Sequence, residues 1–254
     1  MLKIDKAKEN WNRVKDQISY DLSIIIPAYN EEARISKTVI EILEYFNSQE
    51  WQYEIIVVND GSKDKTSDVI QSLIQISPQI RIINQDRNYG KGFAVKTGVL
   101  ASRGKLVLFT DADGSSPIKE LARLINSLEE NSVAIGSRAK PSSETFIKTV
   151  WYRKFLGRCF NFFVNLLILP KIYDTQCGFK LFPAKIAHQI FFLQEIERFG
   201  FDLEILYIAK KMNFKIIEVP IYWVNVEGSK VNLIQDSIRM FKDIFKIKKI
   251  HKDL

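Results

Sequence analysis

Two aspartates one residue apart, Asp111 and Asp113, follow directly on the apolar run Leu106-Val107-Leu108-Phe109-Thr110. At the mouth of a strand in an α/β chain, two short carboxylates stand where ligands are held, and they can share a hard divalent cation with a ligand's phosphates. Aspartate is equally at home in turns and at helix starts, so the pair alone leaves a structural turn or cap open as the alternative. Three further segments of small and polar residues also follow apolar runs: Pro27-Ala28-Tyr29-Asn30-Glu31-Glu32, Asn59-Asp60-Gly61-Ser62 and Asp86-Arg87-Asn88-Tyr89-Gly90-Lys91-Gly92. Ligands in open α/β sheets lie outside the carboxyl ends of the strands, so the four segments are expected to converge.

Group chemistry assigns candidate roles. Asp60 can accept from the N–H of a base edge, Glu31 can accept from ribose hydroxyls, and Tyr29 offers an aromatic wall. Gly90 and Gly92 allow close backbone approach, and Lys91 with the helix start behind it adds positive potential for phosphate. The alternatives are a plain turn at Asp60-Gly61-Ser62 and a flexible loop at Gly90-Lys91-Gly92. No Gly-x-x-x-x-Gly-Lys-Ser/Thr loop is present, and Gly90-x-Gly92 lacks the third glycine and the first-strand position of a dinucleotide fingerprint. A carboxylate pair without those signatures fits a diphosphate-linked donor, whose departing charge a cation neutralises.

The elements that must position these groups alternate in the first half. Leu22–Ile26, Tyr53–Val58, Ile80–Ile83, Leu106–Phe109 and Val133–Ile135 read as strands. Between them, Ile35, Val39, Ile42, Leu43 and Phe46, and then Val69, Leu73 and Ile76, mark helical faces. This pattern predicts an α/β fold with a mostly parallel central sheet flanked by helices. The second half predicts a long helix over 146–169 ending at Pro170, strands at Gly178–Phe182 and Lys215–Val219, helices over 184–193 and 202–212, and a final helix over 231–249.

The 254 residues, 46% of them hydrophobic, suffice for one large α/β domain. Cys159 and Cys177 make no disulfide framework or Cys-x-x-Cys site, which points to a reducing cytosol. Residues 1–20 are polar and mixed in charge, so neither signal peptide nor N-terminal anchor is expected. Of the net charge of +7, much lies late: six basic residues stand between Arg239 and Lys252, against Asp243 as the one acid. Such a bias suits an anionic bilayer or plain solubility; no recognition module accompanies it, so a nucleic-acid partner is not expected.

Two segments favour a lipid surface. Over 151–169, Lys154, Arg158, Asn161 and Asn165 form a narrow polar stripe on an otherwise apolar helix, which suits an interfacial helix carrying Arg153, Lys154 or Arg158 to an acceptor phosphate. Burial in a subdomain or in a homo-oligomer interface explains the pattern as well. In the last helix Ile234, Ile238, Phe241 and Phe245 form the expected apolar face, flanked by Leu233, Met240, Ile244 and Ile247, with lysines outside. Gly228-Ser229-Lys230 before it is expected to be a mobile loop whose lysine closes over the donor phosphate. His188 is expected to be structural and His251 to sit in a basic tail.

Taken in order, Ser23-Ile24-Ile25-Ile26-Pro27-Ala28-Tyr29-Asn30-Glu31-Glu32, Val57-Val58-Asn59-Asp60-Gly61-Ser62, Asn88-Tyr89-Gly90-Lys91-Gly92, Asp111-Ala112-Asp113, Gly136-Ser137-Arg138 and Asp174-Thr175-Gln176-Cys177-Gly178-Phe179-Lys180 resemble the family-two glycosyltransferases, and within them the dolichol-phosphate sugar synthase group. The resemblance covers roughly residues 20–245. It implies a GT-A fold, an inverting transfer from a UDP-sugar donor and Mg²⁺ or Mn²⁺ as cofactor. Carried over by position, Pro27, Ala28, Tyr29, Glu31 and Asp60 would hold uridine and Gly90 and Lys91 would lie near the donor. Asp111, Ala112 and Asp113 would form the metal motif, with Asp113 the first choice as direct ligand. Gln176, with the neighbouring Asp174, would line the sugar or acceptor side, and these two with Asp113 and Arg138 would be the catalytic residues. The domains implied are an extension at 1–20, the GT-A domain at 21–230 and a basic amphipathic helix and tail at 231–254.

The reaction expected is attack by a polyprenyl (dolichyl-type) phosphate on C1 of UDP-glucose, by a cytoplasmic protein held peripherally on the membrane face. Glucose is what the resemblance of the last motif, Asp174 to Lys180, to the glucosyl branch implies. Open alternatives are mannose or another activated sugar, a soluble saccharide acceptor with Asp174 as base, and a noncatalytic nucleotide-binding membrane adaptor.

Overall fold

The computed structural model describes residues 2–139, 145–146, 164–224, 226 and 233–254. Helix α1 (Leu2–Val14) leads into strand β1 (Tyr20–Ala28), α2 (Ile35–Asn47), β2 (Tyr53–Asn59), α3 (Thr66–Ile74), β3 (Ile80–Asn84), α4 (Lys91–Leu100) and β4 (Gly104–Thr110). Then come α5 (Leu121–Ser127), β5 (Ser132–Ser137), β6 (Thr145–Phe146), β7 (Phe179–Pro183), α6 (Ala184–Leu193), α7 (Phe201–Lys211), β8 (Lys215–Pro220), β9 (Trp223–Val224) and α8 (Leu233–Ile250).

Seven strands form one sheet in the order β3-β2-β1-β4-β7-β5-β8, and β6 pairs with β9 apart from it. Every pairing in the large sheet is parallel except those of β7, which runs antiparallel to both β4 and β5. The first four strands thus carry the expected parallel βαβ pattern, with both faces covered. Ile24 and Ile26 of β1 pack with Val39 and Ile42 of α2, and Ile25, on the opposite face, packs with Ala94 and Val95 of α4. Each isoleucine is fully buried and contributes about 1.5–3 kcal/mol through apolar burial.

The chain runs from β1 outward to β2 and β3, then returns to place β4 on the other side of β1, so the sheet has a topological switch between β1 and β4. There the two strands diverge. Pairing of β1 with β4 ends at Ile25↔Phe109, whereas pairing with β2 continues to Ala28↔Asn59. Pro27, with no N–H to give, falls where β1 has already left β4.

Two features depart from the sequence reading. Residues 2–14, read as a polar extension, form a helix whose Ala7 is fully buried and whose Trp11 packs against the core. Of the helix expected over 146–169, residue 146 lies in β6 and 164–167 are helical; residues 147–163 lie outside the described residues. Among the described residues no helix is long and apolar enough to cross a membrane.

Candidate active site

The loops after β1 and β2 are stitched together before any ligand is considered. Asn30, at φ 52°, donates its N–H to Ser62 Oγ (2.9 Å), and its Oδ1 accepts from Lys63 N (2.7 Å). Glu31 N donates to Thr66 Oγ1 (2.7 Å). Beside them the buried carboxylate of Asp60 accepts the N–H groups of Tyr89 (2.8 Å) and Gly90 (2.9 Å), which ties β2 to the loop opening α4. Burial raises the Asp60 pKa above the usual aspartate value, against the pull of those two N–H groups. Each oxygen keeps a second lone pair for a ligand. Gly90 takes φ 117°, and a Cβ there would lie 2.6 Å from Glu197 O, so both conformation and space require glycine.

Lys91, the first residue of α4, places Nζ 2.7 Å from Asp111 Oδ1, with both side chains partly open to solvent. Burial disfavours the lysine's charged form, but Asp111, Asp202 and Asp113 outweigh it and hold the pKa above the ordinary lysine value. The same ammonium lies 5.2 Å from the centre of the Phe109 ring, and Lys180 Nζ lies 5.6 Å from that ring. Lys180 is fully buried; it donates to Cys177 O (2.6 Å) and pairs with Asp202. Asp113 Oδ1 accepts from Ser115 N (2.9 Å).

The turn before β7 forms the next wall. Asp111 N donates to Gly178 O (3.1 Å), and Gly178 packs so closely on the Asp111 carboxylate that a Cβ would collide with it. Arg138 clasps Asp174 through Nε and Oδ2 (2.7 Å) and Nη2 and Oδ1 (2.9 Å), and its guanidinium lies 5.3 Å from the Trp223 ring centre. Although burial opposes ionisation, Arg138 holds the Asp174 carboxyl below the usual aspartate range. Glu218 fixes the turn from behind, accepting from Asp174 N (2.7 Å), Tyr173 N (3.1 Å) and Ser137 Oγ (2.8 Å). Gln176 Nε2 is buried and has no partner among the described residues, so it is a donor waiting for an acceptor. Cys177 is fully buried, its thiol pushed up to about 12 by burial, in keeping with its expected packing role.

These walls enclose a cleft of about 320 Å³ at the divergence of β1 and β4. Its lining includes Pro27, Ala28, Tyr29, Glu31, Asp60, Gly90, Lys91, Asp111, Ala112 and Asp113, so these residues expected around the donor are brought together, whereas Gly92 packs against Ile196 and Phe201 instead. Arg138, Asp174 and Gln176 are not in that lining; they stand beyond Asp111, joined to it through Gly178. Arg153, Lys154, Arg158 and Lys230 lie outside the described residues. Four lining residues escaped the sequence reading: Arg34, Ala94, Arg198 and Phe199, whereas Asn88 belongs to the segment expected there. Arg34 pairs with Glu31 at 2.7 Å, so the carboxylate assigned to ribose already carries a cation. Its spacing of three from Glu31 in a chain entering a helix was the available signal.

A cation would find two carboxylates here and little else from the protein, since among the described residues no three His, Cys, Asp or Glu side chains converge as a metal-holding group. Two carboxylates completed by water and diphosphate oxygens suit an oxygen-seeking divalent ion, so Asp111 and Asp113 fit a cation that arrives with a phosphorylated ligand.

Residues 23–191 match the sequence model of Glycosyl transferase family 2. Among curated proteins, the chain is 41% identical over 240 residues to "Dolichyl-phosphate beta-glucosyltransferase" of Dictyostelium discoideum, spanning 89% of this chain and 73% of that one. It is 38% identical over 255 residues to the protein of that name from Mus musculus, spanning 95% and 79%. Among solved structures, the fold resembles glucosyl-3-phosphoglycerate synthase from Mycobacterium tuberculosis in complex with Mn²⁺, UDP-glucose and phosphoglyceric acid, with TM-score 0.66, 16% identity and coverage of 96% and 83%. It also resembles mannosyl-3-phosphoglycerate synthase from Rubrobacter xylanophilus, with TM-score 0.68, 15% identity and coverage of 98% and 79%.

Proposed function

The chain belongs to glycosyl transferase family 2, and on that premise we propose that it transfers glucose from UDP-glucose to a polyprenyl phosphate of the dolichyl type, inverting the anomeric carbon. The observation that carries this reading is the cleft in which Lys91 lies 2.7 Å from Asp111, with Asp113 and Asp60 in the same walls. It supplies cation and carboxylate chemistry where a sugar nucleotide's diphosphate must be held and released.

In the proposed step an acceptor phosphate oxygen forms a bond to the glucose C1, the bond from C1 to the UDP oxygen breaks, and its electron pair leaves on UDP. A phosphate monoester has its second pKa near ~6 and is largely ionised at neutral pH, so no base need deprotonate it. This agrees with the state of Asp174, whose carboxylate is committed to Arg138 and held acidic; a soluble saccharide acceptor would require a base that Asp174 is not placed to be. Lys91 offsets negative charge on the donor side, the Gln176 amide, unpartnered among the described residues, supplies a donor to a sugar or acceptor oxygen, and Arg138, paired with Asp174, holds the turn that carries it. Asp111 and Asp113 would hold Mg²⁺ or Mn²⁺, which when bound would neutralise the diphosphate as it departs. With a lipid-phosphate acceptor and a UDP-sugar donor, this reading has the protein work at a membrane surface, held peripherally on the cytoplasmic face.

The test is a donor screen of the purified protein with Mg²⁺ or Mn²⁺, with and without polyprenyl phosphate, read by product mass. Glucose transfer from UDP-glucose only in the presence of lipid phosphate is expected. Transfer to a free saccharide, preference for a mannosyl donor, or nucleotide binding without turnover would each overturn the reading.

A further inference from the structure

Helix α8 packs the wrong way round for its sequence. Its described inner face is Ile244 and Ile247, continued by His251 in the turn just past its end, all fully buried, while Phe245 is 55% exposed and Phe241 37% exposed. The two rings meet edge-on at 5.6 Å between centres, and Lys242, Lys246 and Lys249 are exposed around them. An aromatic pair ringed by lysines, on the face that a soluble helix would keep polar, is complementary to an anionic lipid interface, where rings enter the acyl boundary and ammonium groups meet phosphate.

The inner face is tied to the cleft. His251 Nε2 lies 2.7 Å from Glu204 Oε1 in full burial. The same carboxylate accepts the N–H groups of Glu195 (2.9 Å) and Ile196 (2.7 Å). Midway along α8, the Asp243 carboxylate packs directly on Gly200. The segment between those contacts delivers Arg198 and Phe199 to the cleft, and Glu197 O accepts from Phe93 N (3.0 Å) in the first turn of the helix that Lys91 opens.

We infer that α8 docks on anionic lipid and that its seat on residues 195–200 couples this docking to the donor cleft, with His251 and Glu204 as positioning residues. The inference rests on the lipid-phosphate reading above and adds regulation of that site by the membrane surface itself. Phe241 and Phe245 insert, the helix is fixed, and Glu204 and Gly200 transmit that restraint to Arg198 and Phe199.

The test is calorimetric titration of UDP with Mn²⁺ into the full chain, alone, on phosphatidylcholine vesicles, and on phosphatidylglycerol/phosphatidylcholine vesicles, all free of polyprenyl phosphate. Anionic vesicles are expected to tighten UDP binding about 5-fold, a modest coupling between two sites. Combined Lys242→Glu, Lys246→Glu and Lys249→Glu should abolish co-sedimentation with anionic vesicles and leave the solution affinity for UDP as it was. His251→Ala should co-sediment normally yet lose the tightening, and His251→Gln, which keeps an N–H for Glu204, should restore much of it. Equal UDP affinity on and off anionic vesicles overturns the inference alone, as does full tightening in His251→Ala. Failure of UDP to bind under every condition overturns the donor reading and the coupling with it.

Discussion

Arg138 and Asp174 are joined three times: by two side-chain contacts of 2.7 and 2.9 Å and by the Arg138 backbone N–H on the same carboxylate at 2.9 Å. A carboxylate so engaged organises the turn before β7. Asp174→Asn should therefore destabilise the protein by about 3 kcal/mol, the lower range for breaking a buried pair, because Arg138 keeps a charge without its partner. The sign with pH follows from the depressed Asp174 pKa. Its contribution is fully present above the unfolded aspartate value of about 3.9 and is lost as pH falls through the folded value. Urea unfolding at a series of pH values should show the gap between parent and variant closing only below about pH 4; a gap independent of pH would contradict this account.

Lys91→Met removes the cation beside Asp111 while keeping the length of the side chain. Turnover should fall by about 10²–10³-fold, the loss typical of one preorganised charge-stabilising donor. Steady-state kinetics under saturating donor would measure it, and a rate within a factor of a few of the parent would remove Lys91 from the chemistry.

Asp113→Ala separates catalysis from mere nucleotide retention. We expect product formation to drop by about 10³-fold and UDP affinity to lose its dependence on Mn²⁺. Calorimetry with and without the ion checks the second outcome independently of activity, and an undiminished Mn²⁺ effect would move the cation elsewhere.

Gly178→Ala should impair the site by collision, since the added methyl would strike the Asp111 carboxylate. At least a 10-fold loss in turnover is expected, about 1.4 kcal/mol of barrier. In unfolding experiments the penalty should shrink when Asp111→Ala is also present, because the clash then has no second partner. Additive penalties would show that Gly178 matters for another reason.

Cys177, with its thiol pushed up to about 12 in full burial, should resist iodoacetamide in the folded protein at pH 8. In a Cys159→Ser background, mass spectrometry should find it unmodified natively and fully alkylated in urea. Rapid native alkylation would mean that the turn before β7 opens readily.

The first four strands and their crossover helices were legible because continuous Val/Ile/Leu runs reveal burial on both faces. Direction was not: Phe179–Pro183 reads as a strand whichever way it runs, and only tertiary placement makes β7 antiparallel. The donor residues were found because each follows an apolar run, whereas Arg198 and Phe199 follow a helix, where no such rule points. Residues 2–14 hid a helix because its burial rests on few residues, Ala7 and Trp11 among them. In α8, pattern alone put Phe241 and Phe245 inward; the structure buries Ile244 and Ile247 instead. That rotation also carries His251, expected in a solvated tail, into contact with Glu204.

The place of β7 between β4 and β5 bears on how the chain comes off the ribosome. When residue 137 has been made, β3-β2-β1-β4 can already assemble, but β5 has no neighbour, because its two partners, β7 and β8, are still to come. Long-range pairings of this kind form late, since the intervening loop must be closed before they repay it. The strand that finally bridges the gap is the one whose leading turn carries Asp174, Gln176 and Gly178. Sheet closure and delivery of the acceptor-side residues are therefore one event, and a nascent chain cannot hold a complete site in a half-built sheet.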